Sequence, residues 1–216
     1  MKLIKKLIKT NIIIFSILTL SYLSLYIYGH FTKKLTISLA NKYYFYDINN
    51  NLYNGNNDNW VKLDQISNNL INATISAEDK HFYNHIGFDY PRILKALMNN
   101  IKNKKAIEGA STITQQYAKN LFLDFGKTWK RKIQEAWITI KLESQYKKDE
   151  ILEGYLNTIN YGGVFGIENA SQYYFNKHAK DLTLAEATIL AGIPKSPSNY
   201  SPIENEENAK KDKTQY

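Results

Sequence analysis

Residues 109 to 123 read Gly-Ala-Ser-Thr-Ile-Thr-Gln-Gln-Tyr-Ala-Lys-Asn-Leu-Phe-Leu. With a helix starting at Ser111, the residues Thr112, Gln116 and Lys119 share one face, and Ile113, Tyr117 and Leu121 form the apolar stripe beside it. Such a helix buries one side and offers amide, hydroxyl and ammonium groups on the other. That combination suits holding an anion better than filling a core.

The same helical period recurs on both sides of this stretch. It predicts helices over about 63 to 82, 90 to 102, 111 to 123, 128 to 146, 148 to 158, 165 to 175 and 183 to 192. Gly87, Gly109, Gly126, the Gly162-Gly163 pair and Pro194 punctuate them. Upstream, the aromatic runs from Tyr43 to Tyr53 around Asp47-Ile48-Asn49 predict a small hairpin, followed by an Asn-rich loop from Asn54 to Asn59. The expected fold class is mainly α.

The N-terminus has a different composition. Lys2, Lys5, Lys6 and Lys9 precede an uncharged run from Thr10 to Gly29, about the length a helix needs to cross a hydrocarbon core. Lysines on that flank predict a cytoplasmic tip (1–9), a membrane anchor (10–29) and everything later outside. Tyr22, Tyr26 and Tyr28 suit the far interface. A cleaved signal peptide ending near Ser38-Leu39-Ala40 is the competing reading, but the apolar run exceeds the roughly 7 to 15 residues of a signal core. A retained anchor is therefore expected, with a linker and hairpin over 30–59.

At 216 residues there is room for one ordinary domain beyond the anchor. Seventeen Tyr and nine Phe exclude a disordered chain. With no Cys, neither disulfides nor a thiol nucleophile enters the chemistry. The net charge of +8 raises nucleic acid as a partner. Four of those charges belong to the cytoplasmic tip, and an exported domain meets little nucleic acid. Its basic residues are better aimed at lipid headgroups or a phosphorylated substrate.

Glu78 and Asp79 sit beside small and apolar residues, where partial desolvation would raise a carboxyl toward the range of a general base. An exposed acidic turn is the plainer alternative. His81 and His85 have the i, i+4 spacing of a metal pair, but no third ligand is visible and packing roles are favoured. Arg131 and Glu135 read either as a surface ion pair or as a phosphate-gripping guanidinium with a second carboxylate. Ser144-x-x-Lys147 matches a penicillin-reactive serine motif only by chance, because no Lys-Thr-Gly follows.

Together these segments resemble the peptidoglycan glycosyltransferase family, the transglycosylase domain of bifunctional penicillin-binding proteins and monofunctional murein polymerases. Glu78-Asp79-x-x-Phe82-x-x-His85-x-Gly87-x-Asp89 is similar to the family's first block. Gly109-x-Ser111-Thr112-x-x-x-Gln116-x-x-Lys119 is similar to the second, and Arg131-Lys132-x-x-Glu135 to the third. Ile151-Leu-Glu-Gly-Tyr-Leu-Asn157 with Gly162 and Gly166 resembles the fourth, and Leu182-Thr-Leu-Ala-Glu186 through Pro197 and Tyr200-x-Pro202 the fifth.

The resemblance implies a two-lobed, lysozyme-like domain over 60–203 on the outer face of the cytoplasmic membrane. It implies polymerisation of lipid II into glycan strands by inverting transfer, with undecaprenyl pyrophosphate leaving. Glu78 would be the general base and Glu135 the second acidic position. Asp79, Ser111, Thr112, Gln116, Lys119 and Arg131 would bind substrate. Partners would be lipid II, the growing strand, membrane lipid, and transpeptidases or other wall-synthesis proteins. A Mg or Mn divalent cation could assist pyrophosphate departure, although no site of its own is visible.

Ala110 replaces a Gly usual in the second block, and Lys95 stands where an Arg is expected. The charged stretch 204–216 reads as the start of a further helix, and the chain reads either as a monofunctional enzyme or as the N-terminal part of a longer one. Two other functions fit parts of the pattern: a catalytically silent membrane scaffold, and a lytic, lysozyme-like glycan cleaver. Lys119 and Arg131 argue against the cleaver, since a sugar leaving group needs no pyrophosphate clamp.

Overall fold

The computed structural model describes residues 2–35, 45–46, 52–53, 59–104, 109–122 and 128–195. The predicted Gly126 turn, Tyr200-x-Pro202 and the 204–216 tail lie outside the described residues. Eight helices follow in order among those described: α1 (Lys2–Phe31), α2 (Asn68–Glu78), α3 (Tyr90–Asn103), α4 (Ile113–Phe122), α5 (Trp129–Gln145), α6 (Lys148–Thr158), α7 (Ile167–Phe175) and α8 (Leu184–Gly192). Two short strands, β1 (Phe45–Tyr46) and β2 (Leu52–Tyr53), pair antiparallel with Phe45 opposite Tyr53. The fold is mainly α, with the small hairpin where the sequence predicts it.

Local chemistry sets the helix limits. Asp89 caps α3 by accepting the Arg92 N–H at 3.0 Å, and Pro91 stands in the first turn, where a missing N–H costs nothing. Thr128 caps α5 in the same way through Arg131 N–H at 3.2 Å. Thr183 and Glu186 close a reciprocal box at the start of α8.

The helix predicted over 63–82 divides in three. Residues Leu63–Gln65 and Phe82–Asn84 form 3-10 turns, and only Asn68–Glu78 is α-helical. Tertiary bonds explain the break. Ser67 N–H donates to Ala179 O at 3.0 Å and its hydroxyl to Leu182 O at 2.9 Å, which pulls the chain out of helical register.

The core forms around α4. Ile113 and Tyr117 of α4 pack with Leu142 of α5, Leu152, Tyr155 and Leu156 of α6, and Leu70 and Phe82, all fully buried. Helices α2 and α8 pack on each other and close one side. Gly154 of α6 faces the Tyr117 ring so closely that an added methyl would come within 2.1 Å of its hydroxyl oxygen.

Helix α1 contains an apolar span, Lys9–Phe31, long enough to cross a membrane. Its final turns are docked on α5. The Tyr28 and Trp137 rings stack at 5.8 Å, and the Tyr26 hydroxyl donates to Glu143 O at 2.9 Å. His30 Nδ1 meets Ser144 O at 2.7 Å; a carbonyl only accepts, so the ring nitrogen is the donor. Gln145 Nε2 reaches back to Gly29 O at 2.7 Å. Glu143 O and Ser144 O belong to the last turn of α5 and Gly29 O to the last turn of α1, where no helical partner exists, so each helix end satisfies carbonyls of the other.

Three carboxylates make the fold acid-sensitive. Lys177 and the Thr183 N–H pull Glu186 down to about 2. Burial opposes ionisation of Glu168, but the Ala179 N–H, His178 and Gln172 outweigh it and hold its carboxyl below the usual value. Asp89 behaves likewise, with burial opposed by the Arg92 N–H and His81. A lowered carboxyl contributes stability that is complete above the unfolded value near 4.5 and lost as pH falls toward 2. The thermal midpoint, followed by circular dichroism, is expected to fall across that window, and Glu186→Gln to show a shallower fall.

Candidate active site

The site is assembled where α2 ends beside α4. Glu78, the last residue of α2, is 7% exposed. Its Oε2 accepts Gln116 Nε2 at 2.6 Å, whereas its Oε1 is buried without a hydrogen-bond partner among the described residues. The Arg92 guanidinium binds the Glu78 carbonyl and ties the end of α2 to α3. Gln116 Oε1 in turn accepts the Tyr155 hydroxyl at 3.2 Å.

Asp79 is fully buried behind this carboxylate. Both its oxygens lie 3.0 Å from His85 Nε2, and Oδ2 also accepts the Ile113 N–H at 3.0 Å, the first turn of α4. His85 Nδ1 accepts the Gly87 N–H at 3.1 Å, so its proton sits on Nε2 and is donated to Asp79. A carboxylate at this position also complements the positive end of α4. His81 bonds a different carboxylate, Asp89, at 2.8 Å. The two histidines therefore do not converge, because α2 stops before them and the i, i+4 geometry never forms.

Helix α4 begins at Ile113 rather than Ser111, and this moves Thr112 off the expected polar face. Thr112 is fully buried; its hydroxyl accepts the Gln115 N–H at 3.2 Å and donates to Gly87 O at 2.7 Å. Gln115 Oε1 returns the bond to the Thr112 N–H at 3.1 Å. This Thr-x-x-Gln box fixes the helix start and stitches the second block to the loop of the first. Gly87 supplies the left-handed φ of 94° that this loop needs. Ser111 precedes the cap, half-buried.

Lys119 is half-buried one turn beyond Gln116 and forms no ion pair with any described residue. Arg131 and Glu135 stand on α5, which packs against α4. Arg131 Nη1 lies 3.3 Å from Glu135 Oε2, and Lys132 pairs with the other carboxylate oxygen. Arg131 Nε is buried and lacks a partner among the described residues. Two cations against one carboxylate in the first turns of α5, at its positive end, leave a surplus of positive charge for an anion.

Sequence reasoning named Lys132 and Tyr155 only as members of motif blocks and passed over Arg92, giving none of the three a role. Lys132 was legible three residues from Glu135; the other two act over tertiary contacts that no local period encodes. Among the described residues no three His, Asp or Glu side chains converge as a metal site, and Glu135 is already paired twice. The donor set does not fit a resident divalent cation. A surface groove of about 570 Å³ near Tyr83, Asp149 and Glu153 is lined by none of the candidate residues.

Residues 41–216 match the family model described as transglycosylase. Penicillin-binding protein 2D of Bacillus subtilis is 59% identical over 152 residues, covering 70% of this chain and 22% of that protein. Penicillin-binding protein 1F of the same organism is 44% identical over 192 residues, covering 85% and 26%. Penicillin-binding protein 1A of Aquifex aeolicus is 44% identical over 151 residues, covering 69% and 21%. The chain thus spans about a quarter of the length of these curated relatives. A match over most of the chain, joined to a buried glutamate and a cationic helix start carried by its ordered motif blocks, means that the chain belongs to the transglycosylase family.

Proposed function

We propose that this domain is a peptidoglycan glycosyltransferase that joins lipid II units into glycan strands with inversion and releases undecaprenyl pyrophosphate. The observation that carries this is the asymmetry of Glu78: one oxygen is held by Gln116 and the other is buried and unpartnered. That free oxygen takes the proton of the acceptor's sugar 4-hydroxyl. The hydroxyl oxygen attacks the donor's anomeric carbon, and the bond from that carbon to the pyrophosphate oxygen breaks. A pyrophosphate leaves with its own negative charge, so it needs cations rather than an acid. Lys119 and Arg131 supply them, Glu135 orients Arg131, and Ser111 and Gln116 face the substrate. Asp79 and Thr112 hold these groups from behind.

With the N-terminal lysines taken to stay inside, helix length sets the depth of insertion. Residues 10–21 of α1 lie below its docked turns and span about 18 Å, short of a hydrocarbon core of about 30 Å. The docked turns therefore complete the crossing, and the adjoining flank of the domain enters the outer leaflet. Tyr22 meets Phe88 edge-on at 6.3 Å, Phe88 meets Tyr90 at 6.2 Å, and α3 continues with Leu94, Leu97, Met98 and Ile101, all exposed on one stripe. This stripe faces lipid. Leu97→Glu with Met98→Glu is expected to cut polymer yield on liposomes several-fold with the melting point nearly unchanged, because both side chains are already exposed. Equal yield on liposomes would contradict that placement.

Purified full chain incubated with fluorescent lipid II is expected to give a glycan ladder on a gel that a muramidase digests. Folded protein that yields no polymer would overturn the reading in favour of a silent scaffold. Cleavage of preformed glycan would favour a lytic enzyme.

A further inference from the structure

We infer that Tyr155 is a positioning residue for Glu78, acting through the Gln116 amide. The inference rests on Glu78 being the base. Tyr155 comes from α6, which packs on α4, and is fully buried in the core. Its hydroxyl lies 3.2 Å from Gln116 Oε1, and Gln116 Nε2 lies 2.6 Å from Glu78 Oε2.

The polarity of this chain is fixed by what each group can do. A carboxylate only accepts, so the NH2 end of the amide must face Glu78. That leaves the carbonyl end for Tyr155, whose hydroxyl must donate. Burial, with Glu78 among the nearby groups, pushes the phenol's ionisation well above its ordinary range, so it remains a donor throughout. Without that hydroxyl, a half-turn of the amide would set carbonyl oxygen against carboxylate oxygen and release Glu78. Tyr155 therefore selects the one amide orientation that pins Oε2 and leaves Oε1 to the substrate.

The core supplies its own control. Tyr117, beside Gln116 on the same helix, is equally buried, but its hydroxyl has no partner among the described residues. Tyr155→Phe and Tyr117→Phe delete the same atom from the same core, and only the first breaks the relay.

The test compares both variants, Gln116→Ala and the Gln116→Ala/Tyr155→Phe double variant, using full chain and fluorescent lipid II. Tyr155→Phe is expected to lower kcat about 5- to 10-fold with KM unchanged, since small misplacements of a reacting group cost rate steeply. Tyr117→Phe should leave both unchanged. In the Gln116→Ala background, Tyr155→Phe should cost no further rate. Full kcat in Tyr155→Phe, equal losses in both Phe variants, or additive losses in the double variant would each overturn the inference. Glu78→Gln runs alongside: its activity tests the base itself, so a failed relay and a failed base give different results. Melting curves for each variant exclude unfolding as the source of a lost rate.

Discussion

Glu78→Gln is expected to lower the rate of glycan polymerisation by roughly 10³-fold, the scale of a lost general base, while the protein stays folded. The amide keeps the shape of the carboxyl and still offers an oxygen to Gln116 Nε2, so the site's one fixed contact survives. The bond from Arg92 goes to the backbone carbonyl of Glu78 and is untouched. Stability should hold or rise, because a buried charge with one unpartnered oxygen is replaced by a neutral group. Glu78→Asp keeps the charge but withdraws it by one methylene, and a displacement of about 1 Å costs on the order of 10²-fold in rate. The checks are initial rates with fluorescent lipid II and thermal melts on the same preparations. A Gln variant with wild-type rate would remove Glu78 from the chemistry.

The largest stability effect is expected at Gly154. A methyl there would lie 2.1 Å from the Tyr117 hydroxyl oxygen and 2.5 Å from Cζ, and the ring has no free side to retreat to because Tyr117 is fully buried. Overpacking of this severity costs about 3 kcal/mol, which lowers the melting temperature of a domain this size by roughly 10 °C. Tyr117→Phe removes the hydroxyl but not Cζ and should rescue little. Tyr117→Leu removes both contacts. The Gly154→Ala/Tyr117→Leu pair should therefore be more stable than the sum of its single changes by about 2 kcal/mol, as residues in contact fail to add. Additive denaturation midpoints would show that the strain lies elsewhere.

Much of this molecule was legible in its sequence where a local rule governs. The helix starts expected near 90 and 183 hold to within a residue, with α3 beginning at Tyr90 and α8 at Leu184. The apolar stripe of Ile113, Tyr117 and Leu121 became the core-facing side of α4, all three buried. The errors arose where a tertiary partner outbid local propensity. Ser67 is drawn to Ala179 and Leu182, and Asp79 to His85 and the Ile113 N–H, so one long predicted helix became three pieces. A start misplaced by two residues turned Thr112 from a surface group into a cap, although Thr112-x-x-Gln115 is itself a capping signature. The site showed the same division. Glu78, Gln116 and the Arg131/Glu135 pair became site candidates through the resemblance of their motif blocks, whereas the bond from Tyr155 crosses 39 positions and has no periodic signature.

The docking of α1 onto α5 has a mechanical consequence. An enzyme on a slack stalk swings through a hemisphere, and its active site visits many heights. Here the final turns of the stalk are part of the domain's own wall, held through Tyr26, His30 and Gln145. Where α1 spans the bilayer, Glu78 keeps one altitude, and under the proposed function its search for a lipid-borne substrate collapses to two dimensions. Thickness then becomes an input: a bilayer that tilts α1 to relieve mismatch tilts the reaction centre with it, so acyl chain length should tune turnover without touching a single reacting group.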